Sequence, residues 1–475
     1  MDQTNTQQGL RKVAVVGGSR IPFCRSHTAY AELTNLDMLG AALNGLVDRF
    51  ALHGLHVGEV VGGAVVTHAK DWNLAREAVI GSALSPTTPA VTMMQACGTS
   101  LQAAMSLAGK IATGQIESGI AIGSDTTSDA PIVFHRKFAQ RLIGLSRARS
   151  FGAKLGVFKG FSPAELTPQP PNTAEPRTGL TMGEHAELMA KRWGITREAQ
   201  DLLAYESHKK AAAAYDEGFM DDLVVPCAGV FRDNNIRDDI SLEKIAELKP
   251  VFDKAHGTIT AANATPLTDG ASTVLLASEE WAAEHDLPVL AYLSTARTTA
   301  IDFVAGEGLL MAPTVAVSEL LESNGLALQD FDYYEIHEAF AAQVLATLAA
   351  WESEDYCRER LGRAAPLGAI DRAKLNVKGS SIAFGHPFAA TGGRILPVLA
   401  KLLNEGGGQR GLISVCTAGG MGVAAIVEGV PADRSLQASQ PGREAEPEMS
   451  GTEGLEPVSA PAESEGVDST AGSPS

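Results

Sequence analysis

The chain has 475 residues, 45% hydrophobic and 20% charged, a balance that suits one large α/β unit or two to three domains with a sizeable core. Its net charge of -18 argues against nucleic acid or anionic lipid as a general partner, since like charges repel. Five widely spaced cysteines (Cys24, Cys97, Cys227, Cys357 and Cys416) include no CxxC pair, which disfavours structural zinc and suits free thiols in a reducing, cytoplasmic setting.

The opening MDQTNTQQGLRK has no apolar run, and no stretch reaches the roughly 18 apolar residues of a membrane span, so neither a secretory leader nor a transmembrane segment is expected. Residues 13–16 (VAVV) read as a buried strand. Residues 37–47 (DMLGAALNGLV) follow a helical period, with Asn35 or Asp37 as the cap. Residues 59–66 (EVVGGAVV) and 120–123 (IAIG) read as further strands. Strands alternating with helices imply a largely parallel sheet covered by helices.

Residues 130–266 break this pattern and read as an insertion over the core. They hold a basic stretch (Arg136, Lys137, Arg141, Arg147, Arg149, Lys154 and Lys159) with no acidic residue inside it, then the proline-rich TPQPPNTAEP, then a long helical stretch from about Gly183 to Glu217. The α/β pattern then returns. Residues 333–336 precede a helix, 379–383 lead as a strand into GHPFAATGG, 412–415 lead into CTAGGMG, and 424–427 close the series. The order strand, small-residue turn, helix occurs in 90–125 and again in 376–428, which suggests a duplicated unit. From residue 431 to 475 large apolar residues almost vanish. This tail holds nine acidic and two basic residues and is expected to be disordered.

Four segments carry candidate chemistry. Cys97, in QACGTSL, falls where a strand gives way to a helix N-terminus, whose dipole and free N–H groups favour a thiolate. His386, in GHPFAATGG, is held ahead of a proline suited to the first helical position and can act as a general base. Cys416, in CTAGGMG, ends an apolar strand and opens a turn whose N–H groups could form an oxyanion hole. His337 and Glu338, in HEAF, stand at another strand end. Singly, Cys97 and Cys416 read more readily as small buried core residues, and His386 reads as well as a capping turn residue as it does as a base.

Together these segments resemble the thiolase family over roughly residues 10–430. The resemblance implies a fold of two similar α/β halves in a five-layered αβαβα core. It divides the chain into 10–129 with 267–287, an inserted loop domain at 130–266, a second half at 288–430 and the tail at 431–475. By the motif match Cys97 is the acylated nucleophile, His386 its activator and Cys416 the second, acid/base cysteine. His337 stands where many thiolases carry Asn and help bind the thioester oxygen. HEAFAAQ is similar to the β-subunits of fatty-acid oxidation complexes. TITAANAT followed by TDG matches the family's coenzyme A loop, placing Ala261 and Thr265 against pantetheine. Met182 falls in the channel-lining loop and Arg237 near the adenosine phosphates.

The implied reaction is cleavage of a 3-ketoacyl-CoA by CoA, with CoA a substrate and no metal or redox cofactor. The alternative is a short-chain acetoacetyl-CoA thiolase running the condensation. A homo-oligomer is implied, and a hydratase/dehydrogenase α-subunit is a possible partner. The basic stretch reads as a solvated helix face or as a patch for a partner subunit, an anionic membrane or CoA phosphates. Two departures stand out: Ala418 replaces a usual Gly, though its N–H still serves as an oxyanion donor, and Thr181 replaces a usual His. A ketosynthase would carry His in place of Cys416, and a non-enzymatic lipid-binding or scaffold relative would lack a reactive residue.

Overall fold

The computed structural model describes residues 9–431, so the tail expected to be disordered lies outside the described residues. Ten strands are present among the described residues: β1 (Val13–Arg20), β2 (Cys24–Arg25), β3 (Glu59–Gly63), β4 (Ala90–Thr92), β5 (Ser118–Asp125), β6 (Thr268–Ser278), β7 (Ala291–Ala300), β8 (Tyr333–Ile336), β9 (Arg410–Thr417) and β10 (Met421–Gly429). They form one path, β4-β3-β5-β6-β1-β7-β10-β9-β8, with β2 paired to β6 beside it. The path repeats itself. In one half β3 runs parallel to β5, and β5, β6 and β1 pair antiparallel. In the other β8 runs parallel to β9, and β9, β10 and β7 pair antiparallel. The halves join where Ala14 and Val15 meet Tyr292 and Ala291.

The α-helices, in chain order, are α1 (Asn35–Arg49), α2 (Leu74–Ile80), α3 (Thr99–Ala112), α4 (Arg136–Arg147), α5 (Phe151–Val157), α6 (Met182–Arg192), α7 (Arg197–Asp216), α8 (Leu242–Ala246), α9 (Glu279–Glu284), α10 (Ala312–Asn324), α11 (Ala341–Glu352), α12 (Glu354–Glu359), α13 (Ser381–Phe384) and α14 (Thr391–Gly406).

Period-two alternation along the strands sorts the layers. Val15, Ala121 and Val274 of one half and Ile413, Val415 and Val423 of the other pack on Leu101 and Leu107 of α3 and on Ile395 and Leu399 of α14. Their neighbours Val16, Ile120, Ile122 and Leu275 turn the other way, onto α1 and α2. Leu412, Ala424 and Ile426 turn onto α10 and α11. The result is helix, sheet, helix pair, sheet, helix: five layers. Each large apolar side chain buried this way contributes about 1.5–3 kcal/mol. The middle layer is thin because of glycine. A Cβ on Gly392 would stand 2.5 Å from the Leu101 nitrogen, so α14 lies against α3 only without a side chain there.

The sheet is not largely parallel as expected: β3 pairs parallel with β4 and β5, and β8 with β9, while β1, β2, β6, β7 and β10 make only antiparallel pairings. Three local expectations change as well. The cap of α1 is Thr34, in a capping box with Asp37, rather than Asn35 or Asp37. The long helical stretch splits into α6 and α7 at Gly194, whose φ of 62° reverses the chain. Residues 379–383 are not a strand. Leu375 makes one bridge to Tyr334 at the edge of β8, then Asn376 (φ 45°) and Gly379 (φ 78°) turn the chain off that edge into α13, which packs on α7.

The insertion between β5 and β6 is fastened to the core by buried charge. Arg20 of β1 donates two bonds to Asp233, at 2.6 and 2.7 Å, and Tyr215 of α7 donates to the same carboxylate at 2.8 Å. Glu187 of α6 accepts from Thr258 and Ile259 N–H at 2.9 Å, which holds the loop that follows. Within the basic stretch, Arg141 is used structurally, pairing with Glu165 and donating to Val157 and Lys159 carbonyls. The other six bases have no ion pair among the described residues. Helix α4 has no buried residue, and Phe134, Ile143, Phe151 and Leu155 beside these bases are exposed. No helix among the described residues is long and apolar enough to cross a membrane.

Candidate active site

Cys97 lies on the short turn between β4 and α3. Ala96 takes φ 46°, a left-handed conformation that costs a residue with a Cβ roughly 1–2 kcal/mol. Thr99 holds this turn: its Oγ1 accepts from Gln95 N–H at 2.8 Å and donates to Ala96 O at 2.8 Å. The distortion presents Cys97 Sγ to the second half of the molecule. There His386 Nε2 stands 3.1 Å away. His386 is fixed on three sides. Its N–H donates to Thr268 Oγ1 at 3.2 Å, its Nδ1 lies 2.5 Å from Thr391 Oγ1, and Phe388 meets its ring edge to face. Pro387 does not open the helix as expected; a 3₁₀ turn (Phe388–Ala390) intervenes, and α14 starts at Thr391. Asp125, at the end of β5, braces this loop by accepting N–H bonds from Ala389, Val65 and Val66.

His337 follows β8, and its ring centre is 4.2 Å from that of His386. One ring nitrogen, Nδ1, meets Ser381 Oγ at 2.8 Å; the other, Nε2, is buried with no partner. Donor atoms of Cys97, His337 and His386 lie within 4.8 Å of one another, the one such group of possible metal donors among the described residues. Cys416 ends β9 opposite Gly422, in an apolar cluster with Leu309, Leu310, Ala339 and Phe340. The N–H groups of Ala418 and of Cys97 itself face Cys97 Sγ. The sheet therefore gathers two thiols, two imidazoles and two backbone donors at one place.

Two family models account for nearly all the described residues: "Thiolase, N-terminal domain" matches 13–280 and "Thiolase, C-terminal domain" matches 287–429. The chain belongs to the thiolase family. It is 43% identical over 432 residues to a 3-ketoacyl-CoA thiolase of Shewanella sp. (strain W3-18-1), covering 90% of this chain and 98% of the relative. A protein of the same name from Shewanella loihica is 42% identical over 434 residues, covering 90% and 99%. The crystal structure of the Bacillus anthracis acetyl-CoA acetyltransferase superposes with a TM-score of 0.74 at 30% identity, over 89% of this chain and all of that one.

Electrostatics in this thiolase correct one expectation. A helix N-terminus was expected to favour a Cys97 thiolate. Burial instead pushes the thiol up to about 12, against the opposing pull of the Ala418 and Cys97 N–H groups. A helix end is worth only about 0.3–1 kcal/mol, and desolvation outweighs it. Burial, with Arg394 nearby, pushes His386 down to about 3. His337 is pushed down for the same reasons, with His386 itself adding to the effect. Cys416 is pushed up by burial and by Cys97. The resting centre is thus a neutral thiol beside a neutral imidazole.

The residues matched to CoA contacts fall in two places. Met182 packs in the same apolar cluster as Cys416. Thr265 donates from N–H to Ala339 O at 3.0 Å, and Ala264 bridges Phe340, so the 258–266 loop is stitched to the HEAF segment. Ala261 is exposed on that loop. Arg237 is half-buried near Arg25 and His208, and its guanidinium has no hydrogen-bond partner among the described residues. Sequence reading missed Asp125, Thr391, Ser381, Arg394 and Glu175, whose carboxylate accepts from Gly419 N–H at 2.9 Å beside Ala418. Thr391 stood inside the His386 motif and Arg394 directly after it; Asp125 and Glu175 gave no signal outside the fold.

Proposed function

We propose that this thiolase is an acyltransferase that cleaves 3-ketoacyl-CoA with CoA, giving acetyl-CoA and an acyl-CoA shortened by two carbons. The observation that carries the reading is Cys97 Sγ at 3.1 Å from His386 Nε2, with a second thiol, Cys416, close enough to Cys97 for the two to act on each other electrostatically. Because both partners are neutral at rest, the thiol proton passes to His386 as Sγ attacks the 3-keto carbon. Ala418 and Cys97 N–H groups receive the oxyanion of that adduct. His337 and His386 receive the oxygen of the CoA thioester. The Cα–Cβ bond breaks, Cys416 gives its proton to the departing acetyl-CoA enolate, and Cys97 is left as a thioester. Cys416 then takes the proton of the incoming CoA thiol, whose sulfur attacks the Cys97 thioester and releases the shortened acyl-CoA, and His386 returns its proton to the departing Cys97 sulfur. No electrons are gained or lost overall, so we assign no redox cofactor; protein donors meet both oxyanions, so we assign no metal, and CoA acts as a substrate.

Residues 130–266 we assign as the loop domain that holds CoA, through Met182, Arg237, Ala261 and Thr265. The relatives at 42–43% identity are named 3-ketoacyl-CoA thiolase, which favours the degradative direction over acetoacetyl-CoA synthesis. We place the protein in the cytoplasm as a homo-oligomer, with a hydratase/dehydrogenase subunit as a candidate partner. The test is CoA-dependent cleavage of 3-ketoacyl-CoAs from about four to sixteen carbons, with Cys97→Ala as control. Activity that grows with chain length supports the proposal. Activity confined to acetoacetyl-CoA moves it to the short-chain reading.

A further inference from the structure

We propose that Ser381 and Arg394 are positioning residues that hold the proton of His337 on Nε2, so that this ring meets the substrate's thioester oxygen as a ready donor. The inference rests on the role given to His337 above. Ser381 opens α13, and its Oγ lies 2.8 Å from His337 Nδ1. Arg394, in the first turn of α14, donates from Nη2 to the same oxygen at 2.9 Å and to Ser380 Oγ at 3.1 Å. A guanidinium has donors only, so the direction of both bonds is fixed. The Ser381 hydroxyl has one proton to give, and among the described residues its single acceptor is His337 Nδ1. Donation there leaves Nδ1 bare, and a neutral imidazole then carries its proton on Nε2. The reverse arrangement, with Nδ1–H given to Ser381, would strand a buried hydroxyl proton without an acceptor.

Two further observations agree. His337 Nε2 is itself buried and unpartnered, and an orphaned buried donor is rare unless something else is to meet it. One nitrogen of the His337 ring lies within 4.8 Å of a ring nitrogen of His386 and of Cys97 Sγ. Arg394 is fully buried, an expensive place for a charge, with the carboxyl of the equally buried Glu335 3.8 Å away. Its cation also opposes protonation of both catalytic rings, which keeps His337 a one-proton donor rather than an imidazolium. The two imidazoles thus differ by design of their partners: Thr391 steadies the one that receives the thiol proton, and Ser381 with Arg394 orients the one that only donates.

The experiment uses the full-length enzyme with ¹⁵N-labelled histidine. The His337 signals are identified by their loss in His337→Asn, and long-range ¹H–¹⁵N spectra report which ring nitrogen carries the proton. The expected result is an Nε2–H tautomer in the wild type and a tautomer mixture in Ser381→Ala. With it should come a roughly tenfold to hundredfold fall in kcat and a KM for CoA within about twofold. In the His337→Asn background Ser381→Ala should cause no further fall. Ser380→Ala, which touches Arg394 but not His337, should leave the tautomer unchanged. A wild-type ring protonated on Nδ1, or an equal loss from Ser381→Ala in both backgrounds, would overturn the assignment. A tautomer that shifts in Ser381→Ala while kcat holds would overturn the donor role of His337 and leave the tautomer control standing.

Discussion

The two halves of the sheet have the same plan and different cargo. Helix α3 follows the edge strand β4 and leads into β5; helix α14 follows the single bridge at Leu375 and leads into β9. The turn ahead of α3 carries Cys97, and the turn ahead of α14 carries His386. At the next equivalent place, the end of β5 holds the bracing carboxylate Asp125, while the end of β9 holds Cys416. Nucleophile and base therefore sit at matching positions of a duplicated unit, brought to 3.1 Å by stacking α3 on α14. In the proposed reaction the first half supplies the atom that is acylated and the second half supplies the groups that carry its protons. A duplicated fold makes such a division available, because each half offers the same turns at the same place without having to fill them alike.

That division is broken most severely by Cys97→Ala. Loss of the nucleophile should lower kcat by at least ~10⁴-fold and remove any acyl adduct seen by mass spectrometry of the intact protein. Cys416→Ala should cost less, about 10²–10⁴-fold in turnover, as expected for a lost proton donor and acceptor. It should also spare the first half's own chemistry: an activated acyl thioester should still acylate Cys97. If acylation falls as far as turnover does, the two thiols are not divided between nucleophile and acid.

A milder test reads the resting charge of the pair. With its thiol pushed up to about 12, Cys97 is almost wholly protonated at neutral pH. Its thiolate fraction, and hence its alkylation by iodoacetamide, should rise about tenfold per pH unit from roughly pH 6 to pH 9. A thiolate–imidazolium pair would instead give a flat profile over that range. Peptide mapping separates Cys97 from the other four cysteines, all of which are free.

What the sequence disclosed follows the range of the forces involved. Alternating apolar runs and small-residue turns are local, and they marked the strands β1, β3, β5, β8, β9 and β10. Cys97, His386, Cys416 and His337 lay in short motifs, so each was legible by type. Their charge state was not, because burial is a property of the packed whole and reverses what a helix end alone would do. Asp125 lies 264 positions from Ala389, and Arg20 lies 213 from Asp233, so nothing local announces either contact. Residues 379–383 misled for a related reason. Their composition suits a strand, but Asn376 and Gly379, both at positive φ, turn the chain off the sheet edge.

Ala96 is the smallest case and the sharpest. Nothing about an alanine signals a left-handed backbone, yet φ 46° is what lifts Cys97 out of the line of α3 toward His386. Ala96→Gly removes the Cβ that makes this conformation costly, a relief of roughly 1–2 kcal/mol. The glycine also adds freedom to the unfolded chain, which takes back about 0.5–1 kcal/mol. The net change in unfolding free energy from a denaturant titration should therefore be a gain of about 0.5–1 kcal/mol. The Thr99 bonds to Gln95 and Ala96 are backbone contacts on this side of the turn and survive the change, so kcat should hold. The remaining half's turn, ahead of α14, already uses glycine at its positive φ, Gly385 at 103°. A loss of stability in Ala96→Gly would mean that the alanine methyl contributes packing that outweighs its strain, and that the two turns are held by different forces despite their equivalent places.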